Sequence, residues 1–175
     1  YPLEFKSYTQ VGLFTGARKI KISAEYNKAL VDSTITIKDS TIYTSFVFGT
    51  KSKPVQVVTT DRINKDIKNT ESGLRFFNLA EGTDQVSLKI GDQSIPTEWT
   101  NRTLETQNSA SAHQGFIPRK SGTYTVTVQD KSGKTIATRS EIKLAEGYYY
   151  SVILIGKAND DKTPLYIGLV AQAAN

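Results

Sequence analysis

Ile35-Thr-Ile-Lys-Asp-Ser-Thr-Ile-Tyr43-Thr-Ser-Phe-Val-Phe-Gly49 can be laid over Ile142-Lys-Leu-Ala-Glu-Gly-Tyr-Tyr-Tyr150-Ser-Val-Ile-Leu-Ile-Gly156. Tyr43 then meets Tyr150 and Gly49 meets Gly156, both at a separation of 107 positions. Upstream, Gly16, Ile20 and Ile22 match Gly122, Val126 and Val128 at a separation of 106, so one residue is gained in between. Each copy reads as glycine, alternating strand, turn, strand, turn, tyrosine, apolar strand, glycine. Matching order over about 45 residues marks an internal repeat. The second copy is longer at its front, where Leu74 to Ile95 supplies two further strands. The first copy has no counterpart of these and reads as truncated.

Working outward, strand signals dominate. Lys19 to Tyr26 sets Ile20, Ile22, Ala24 and Tyr26 on one face and Lys19, Lys21, Ser23 and Glu25 on the other. Thr34–Lys38, Val86–Ile90, Thr123–Asp130 and Glu141–Leu144 alternate in the same way, and Val55–Thr60 is rich in β-branched residues. Leu74–Leu79 and Tyr148–Ile155 are nearly continuous apolar runs, as expected of central strands covered on both sides. Turn chemistry at Gly91-Asp92, Lys131-Ser-Gly-Lys134, Glu146-Gly147 and Asn159-Asp-Asp161 punctuates the strands. Pro96 to Ala112 reads as a polar loop, and 61–71 as a linker. The expectation is an all-β, immunoglobulin- or transthyretin-like antiparallel β-sandwich in two tandem units. The first, 1–60, is partial; the second, 72–175, is complete.

The 175 residues contain no Cys and no Met, which excludes disulfides, thiolate catalysis and Cys-based zinc or iron–sulfur sites. Hydrophobic content of 38% and a mean hydropathy of −0.36 suit a soluble globular protein. The longest apolar candidate, Ser151–Ile155, stops at Gly156, far short of the roughly 20 residues of a spanning helix. Residues 1–70 carry 11 Lys and Arg against 6 Asp and Glu, while 71–175 carry 11 of each, so the whole net charge of +5 lies in the first part. A basic half suggests an anionic partner. Its lysines, however, alternate with apolar residues, the pattern of a solvated strand face. Without interleaved Arg and aromatic residues, nucleic acid is not an expected partner.

The second copy resembles the bacterial family known as domain of unknown function 4397. Leu74-Arg-Phe-Phe-Asn-Leu-Ala80, Asp84-Gln-Val-Ser-Leu-Lys-Ile-Gly91, Ser121-Gly-Thr-Tyr-Thr-Val-Thr-Val128, Gly133-Lys-Thr-Ile-Ala137 and Tyr150 leading into Ile153-Leu-Ile-Gly156 carry the resemblance. Ala80-Glu-Gly-Thr83 departs from the Ser-Pro-Asp-Ala that often follows the first strand in that family. The resemblance implies a secreted or lipid-anchored envelope protein of Bacteroidota-type bacteria, at the outer surface or in the periplasm, and no established catalytic residues. Beginning at Tyr1 instead of Met, the chain is expected to have lost an amino end that fits a signal peptide and lipobox. In such a background Asp-Ser-Thr is an O-glycosylation pattern, which makes Ser33 and Ser40, both beside predicted turns, candidate sites.

His113 is the only histidine, in the small-residue stretch Asn108-Ser-Ala-Ser-Ala-His113, with Ser109 and Ser111 too near in sequence for usual triad geometry. A single histidine also excludes multi-His zinc sites. Glycosidase chemistry needs two carboxylates about 5–9 Å apart. The nearest pairs, Glu81 with Asp84 and Asp160 with Asp161, read better as turn acceptors. Asn159, Asp160 and Asp161 are the candidate metal set, with calcium the ion that wants several oxygen ligands. No phosphate-cradling glycine loop is present, and no cofactor is expected. Trp99, Tyr149 and Tyr166 are the candidate ligand-binding residues, offering flat faces to a sugar ring; the alternative for Trp99 is edge coverage of the core. Tyr150, repeating Tyr43, reads as structural.

The sequence thus points to a non-enzymatic envelope protein for adhesion, scaffolding or capture of an extracellular glycan or protein. The alternatives are a fibre or pilus-type subunit, self-assembling through its incomplete first unit by strand donation, and a carbohydrate-binding module.

Overall fold

The computed structural model describes residues 4–25 and 28–172. Tyr26, placed by the alternation on the same face as Ile20 and Ile22, lies outside the described residues. The chain is all-β. Two hairpins come first: β1 (Gly16–Glu25) with β2 (Lys28–Ile37), and β3 (Tyr43–Thr50) with β4 (Lys53–Thr60). A strandless stretch then leads to β5 (Glu71–Asn78) and β6 (Val86–Ile90). A 3-10 turn at Thr97–Trp99 and a six-residue helix α1 (Gln107–Ala112) follow. The remaining strands are β7 (Ile117–Lys120), β8 (Gly122–Asp130), β9 (Thr135–Leu144), β10 (Tyr149–Ile155) and β11 (Tyr166–Gln172).

Sheet order is β11-β10-β5-β7 in one layer and β6-β8-β9 in the other. The alternation within β5 shows why they stack. Leu74 and Phe76 face the second layer, where they join Val152 and Leu154 of β10 against Leu88, Val126, Val128, Ile142 and Leu144. Phe77, on the opposite face of β5, packs on Phe46 of β3 with ring centroids 5.1 Å apart, beside Val57 and Ala110. Both faces of β5 and β10 are therefore covered, as their continuous apolar runs required. Each fully buried Leu or Phe contributes roughly 1.5–3 kcal/mol to this arrangement.

One pairing departs from the antiparallel expectation. β5 and β10 run parallel, with Leu74 opposite Tyr150 and Phe76 opposite Val152. A parallel pair needs a long crossover, which β6 through β9 provide. The loop expected over Pro96–Ala112 holds the 3-10 turn and α1. That helix is set by a capping box, Thr106 accepting from the Ser109 backbone while Ser109 returns a bond to the Thr106 N–H, and it buries only Ala110. So short an element carries no apolar stripe to read.

The sequence repeat has a geometric counterpart. Gly16 pairs with Ile37 in the first hairpin, and Gly122 pairs with Leu144 in β8–β9; both partners are offset by the repeat spacing. One register slip is shared, at Ile22/Ser23 in the first and at the equivalent Val128/Gln129 in the second, while the other slip in each, at Ser23/Glu25 and at Tyr124/Val126, has no counterpart. The Tyr43 hydroxyl accepts the Lys38 N–H at 3.3 Å, and the Tyr150 hydroxyl accepts the Ala145 N–H at 3.1 Å, each five residues back. Gly49 and Gly156 both take positive φ, +86° and +94°. A β-carbon on them would sit 2.5 Å from the Lys53 carbonyl oxygen and 2.3 Å from that of Pro164, so both positions exclude a side chain. Thus β1 to β4 correspond to β8 to β11.

Candidate functional site

The densest polar constellation lies where the β3–β4 hairpin meets β5 and β10. Arg75 points from the hairpin-facing side of β5 and is wholly buried. Its Nη2 donates to Asp61 Oδ1 at 2.5 Å, its Nε to Ser151 Oγ at 2.8 Å and its Nη1 to the Gln114 carbonyl at 3.1 Å. The guanidinium lies over Phe116 and Phe77, 4.5 and 5.2 Å from the ring centroids. Asp61 is saturated by two threonines: Thr44 donates to Oδ2 at 2.5 Å and Thr59 to Oδ1 at 3.2 Å. Gln172 closes the network onto Ser151 at 3.2 Å. Burial pulls the guanidinium below its ordinary pKa, with Asp61 opposing that pull; an Arg so placed stays charged. Sequence reasoning missed this site, although the one visible signal was a lone cation inside an apolar run.

His113 caps the C-terminal end of α1, its backbone N–H donating to the Ser109 carbonyl at 2.9 Å. Glu105 is buried and holds Arg102 and the Ser109 hydroxyl on its two oxygens. His113 Nδ1 stands 3.9 Å from Glu105 and makes no hydrogen bond. A hydroxyl-activating relay needs the imidazole between hydroxyl and carboxylate. Here the carboxylate stands between the serine and the histidine, so Ser109 donates to the acid directly. Burial, then the Arg102 charge, lower the His113 pKa against the opposing pull of Glu105.

Trp99 lies inside the main core, 2% exposed, with the Arg119 guanidinium 4.7 Å from its ring. Tyr149 is buried too: its ring stands edge-on to Phe116 at 5.0 Å and its hydroxyl donates to the Asn64 carbonyl at 3.2 Å. Burial raises its pKa. Tyr166 is half-buried, with Lys6 Nζ 4.3 Å and Arg139 5.3 Å from its ring. These three aromatics do not converge on a shared face. Asp160 Oδ1 accepts from the Lys162 and Thr163 N–H groups at 2.8 and 3.0 Å, which lowers its pKa, while Asn159 takes a φ of +59°. Asn159, Asp160 and Asp161 thus form a side-chain-stabilised turn. Among the described residues no group of three His, Cys, Asp or Glu side chains is placed to hold a metal.

Ser40 is exposed in the β2–β3 turn with φ of +51°. Ser33 does not flank a turn: it sits in the middle of β2, faces inward and donates to Gln56 Oε1 at 2.6 Å. Alternating residues in a strand mimic a turn-flanking motif when the hairpin runs longer than its apolar pattern. The Lys19 and Lys21 face of β1 is exposed, and Lys19 pairs with Asp32 at 3.2 Å. No helix among the described residues is long and apolar enough to cross a membrane.

A family model described as "Domain of unknown function (DUF4397)" matches residues 2–89, half of the chain. That stretch runs through β1–β4 into β6, so it shares Leu74–Ala80 and Asp84–Lys89 with the residues that carry the resemblance, while most of it lies in the first unit and not in the second copy. Because β1–β4 correspond to β8–β11, the matched strands supply every strand type of the repeat except β7. Among curated proteins none matches the chain.

Proposed function

The chain belongs to the DUF4397 family, and from that premise we propose that it is a non-enzymatic protein of the cell envelope, acting as a scaffold or adhesin that captures an extracellular glycan or protein. The observation that carries this reading is how the buried charges are spent. Arg75 and Asp61 hold a hairpin to a sheet, and Arg102, Glu105 and Ser109 hold one helical turn. Each of these groups is engaged by structural partners, which suits a rigid display platform better than proton transfer. Secretion, with attachment through a lipid upstream of Tyr1, belongs to the same proposal.

Fractionation of cells producing the full-length protein tests the location, with recovery in the envelope or medium as the expected result. A screen against ester, glycoside, phosphate and peptide substrates tests the chemistry. Turnover abolished by His113→Ala or Glu105→Gln would refute the reading.

A further inference from the structure

Among the described residues β4 has β3 on one side and no strand on the other, so its outer side is a sheet edge. Its composition makes that a hazard. Val55-Gln-Val-Val-Thr-Thr60 carries no charge, and five of its six residues are β-branched. A short, uncharged, β-prone segment without an internal proline is the signature of strand-to-strand aggregation. Such edges are safe only when charged, bent, interrupted or covered.

The outer side of β4 is filled, and by side chains. An antiparallel strand turns the N–H and C=O of alternate residues outward; on β4 these residues are Pro54, Gln56, Val58 and Thr60. Pro54 has no N–H to offer. The Gln107 carboxamide accepts the Val58 N–H and donates to the Val58 carbonyl, both at 2.9 Å, as a residue of a neighbouring strand would. Gln114 Oε1 accepts the Thr60 N–H at 2.9 Å, and the Thr60 carbonyl takes the Arg62 N–H at 3.2 Å. Among the described residues Gln56 alone keeps both outward backbone groups unmatched.

The segment that supplies both glutamines is fastened at its two ends. The Glu105 N–H donates to the Asn78 carbonyl at 2.9 Å, and the Gln114 carbonyl accepts Arg75 Nη1 at 3.1 Å. Between them Ala110 is buried in the cluster that holds Val57. In the second unit the corresponding strand β11 is met by a different device, Arg139 of β9 donating to the Ile167 carbonyl at 2.9 Å.

We propose that residues 105–114 are an edge guard: two glutamine side chains imitate a neighbouring strand and keep β4 from pairing with β4 of a second copy of this chain. This gives α1, which adds one buried alanine to the core, a role that its packing alone does not. The role is independent of what the chain captures.

The test uses the 175-residue chain, with amide exchange read by NMR and association by sedimentation velocity. In the unsubstituted chain the Val58 and Thr60 amides should exchange more slowly than that of Gln56. Gln107 is exposed, and alanine is at least as good a helix former, so Gln107→Ala should fold. It should speed exchange at Val58 by up to about tenfold, and Gln114→Ala should do the same at Thr60. The double variant should self-associate with rising concentration beyond the unsubstituted chain, with the Gln56 and Val58 amides slowed in the associated form. Ser111→Ala, which removes the bond from Gln107 Nε2 to Ser111 Oγ and leaves the Val58 pair, should sediment as the unsubstituted chain does. Unchanged exchange at Val58 and Thr60 in the variants overturns the proposal. So does a double variant no more associated than the unsubstituted chain, association that protects another strand in place of β4, or equal association of Ser111→Ala.

Discussion

Replacing Asp61 by Asn removes one charge from the junction while keeping its volume. Arg75 has no exposed side-chain surface and Asp61 only 3%, so neither ion recovers hydration in the variant. Nη2 would face a neutral amide in place of a carboxylate at 2.5 Å. The lost charge-assisted bond amounts to about 1.5–3 kcal/mol, and an uncompensated buried cation brings the total to roughly 3–5 kcal/mol. Thr44 and Thr59, which both donate to Asp61, lose acceptor strength in the same step. For a chain of this size the melting temperature should fall by about 10 °C. Urea unfolding followed by the fluorescence of Trp99, the only tryptophan, measures the cost. Adding Arg75→Met should recover most of the loss, because an apolar side chain between Phe77 and Phe116 needs no counter-ion. A cost below about 1 kcal/mol for Asp61→Asn, or no recovery in the double variant, would refute the argument that a buried ion pair joins hairpin to sheet.

Gly156→Ala should cost at least about 2 kcal/mol, from a positive φ and a β-carbon 2.3 Å from the Pro164 oxygen; thermal melting reads this, and wild-type stability would contradict it. Tyr150→Phe should cost about 1 kcal/mol by loss of the Ala145 bond, and Tyr43→Phe less, since its bond to Lys38 is exposed; chemical unfolding of the pair gives the ranking. The His113 imidazole should titrate below the usual value of about 6.5 by NMR. A depressed folded-state pKa stabilises the fold above that value and is lost as pH falls through the folded pKa, so His113→Ala should flatten the stability profile in that window.

What the sequence disclosed depended on how local each feature is. The tyrosine and glycine landmarks were legible because each acts within a few residues: a hydroxyl reaching five positions back, and a glycine at the closing turn. The continuous apolar runs of β5 and β10 correctly told of two covered faces. Trp99 looked unexplained because its surroundings come from distant strands, and a polar neighbourhood in sequence concealed a core position. α1 escaped because it is a capped single turn and a half with one buried alanine. Arg75 was visible only as an oddity, since its partner Asp61 lies across the strandless segment that leads into β5. The parallel pairing of β5 with β10 follows from topology, which no local pattern reports.

That parallel pairing shapes how the molecule assembles during translation. β5 leaves the ribosome well before β10, its partner roughly 75 residues downstream, and slow long-range closure of this kind is a known hazard. In the interval Leu74–Leu79 is an apolar ribbon interrupted by the cation at its second position and by Asn78, and a charge flanking such a run blunts aggregation. Arg75, the lock of the finished junction, is thus also the one charge this ribbon carries before β10 exists to cover it.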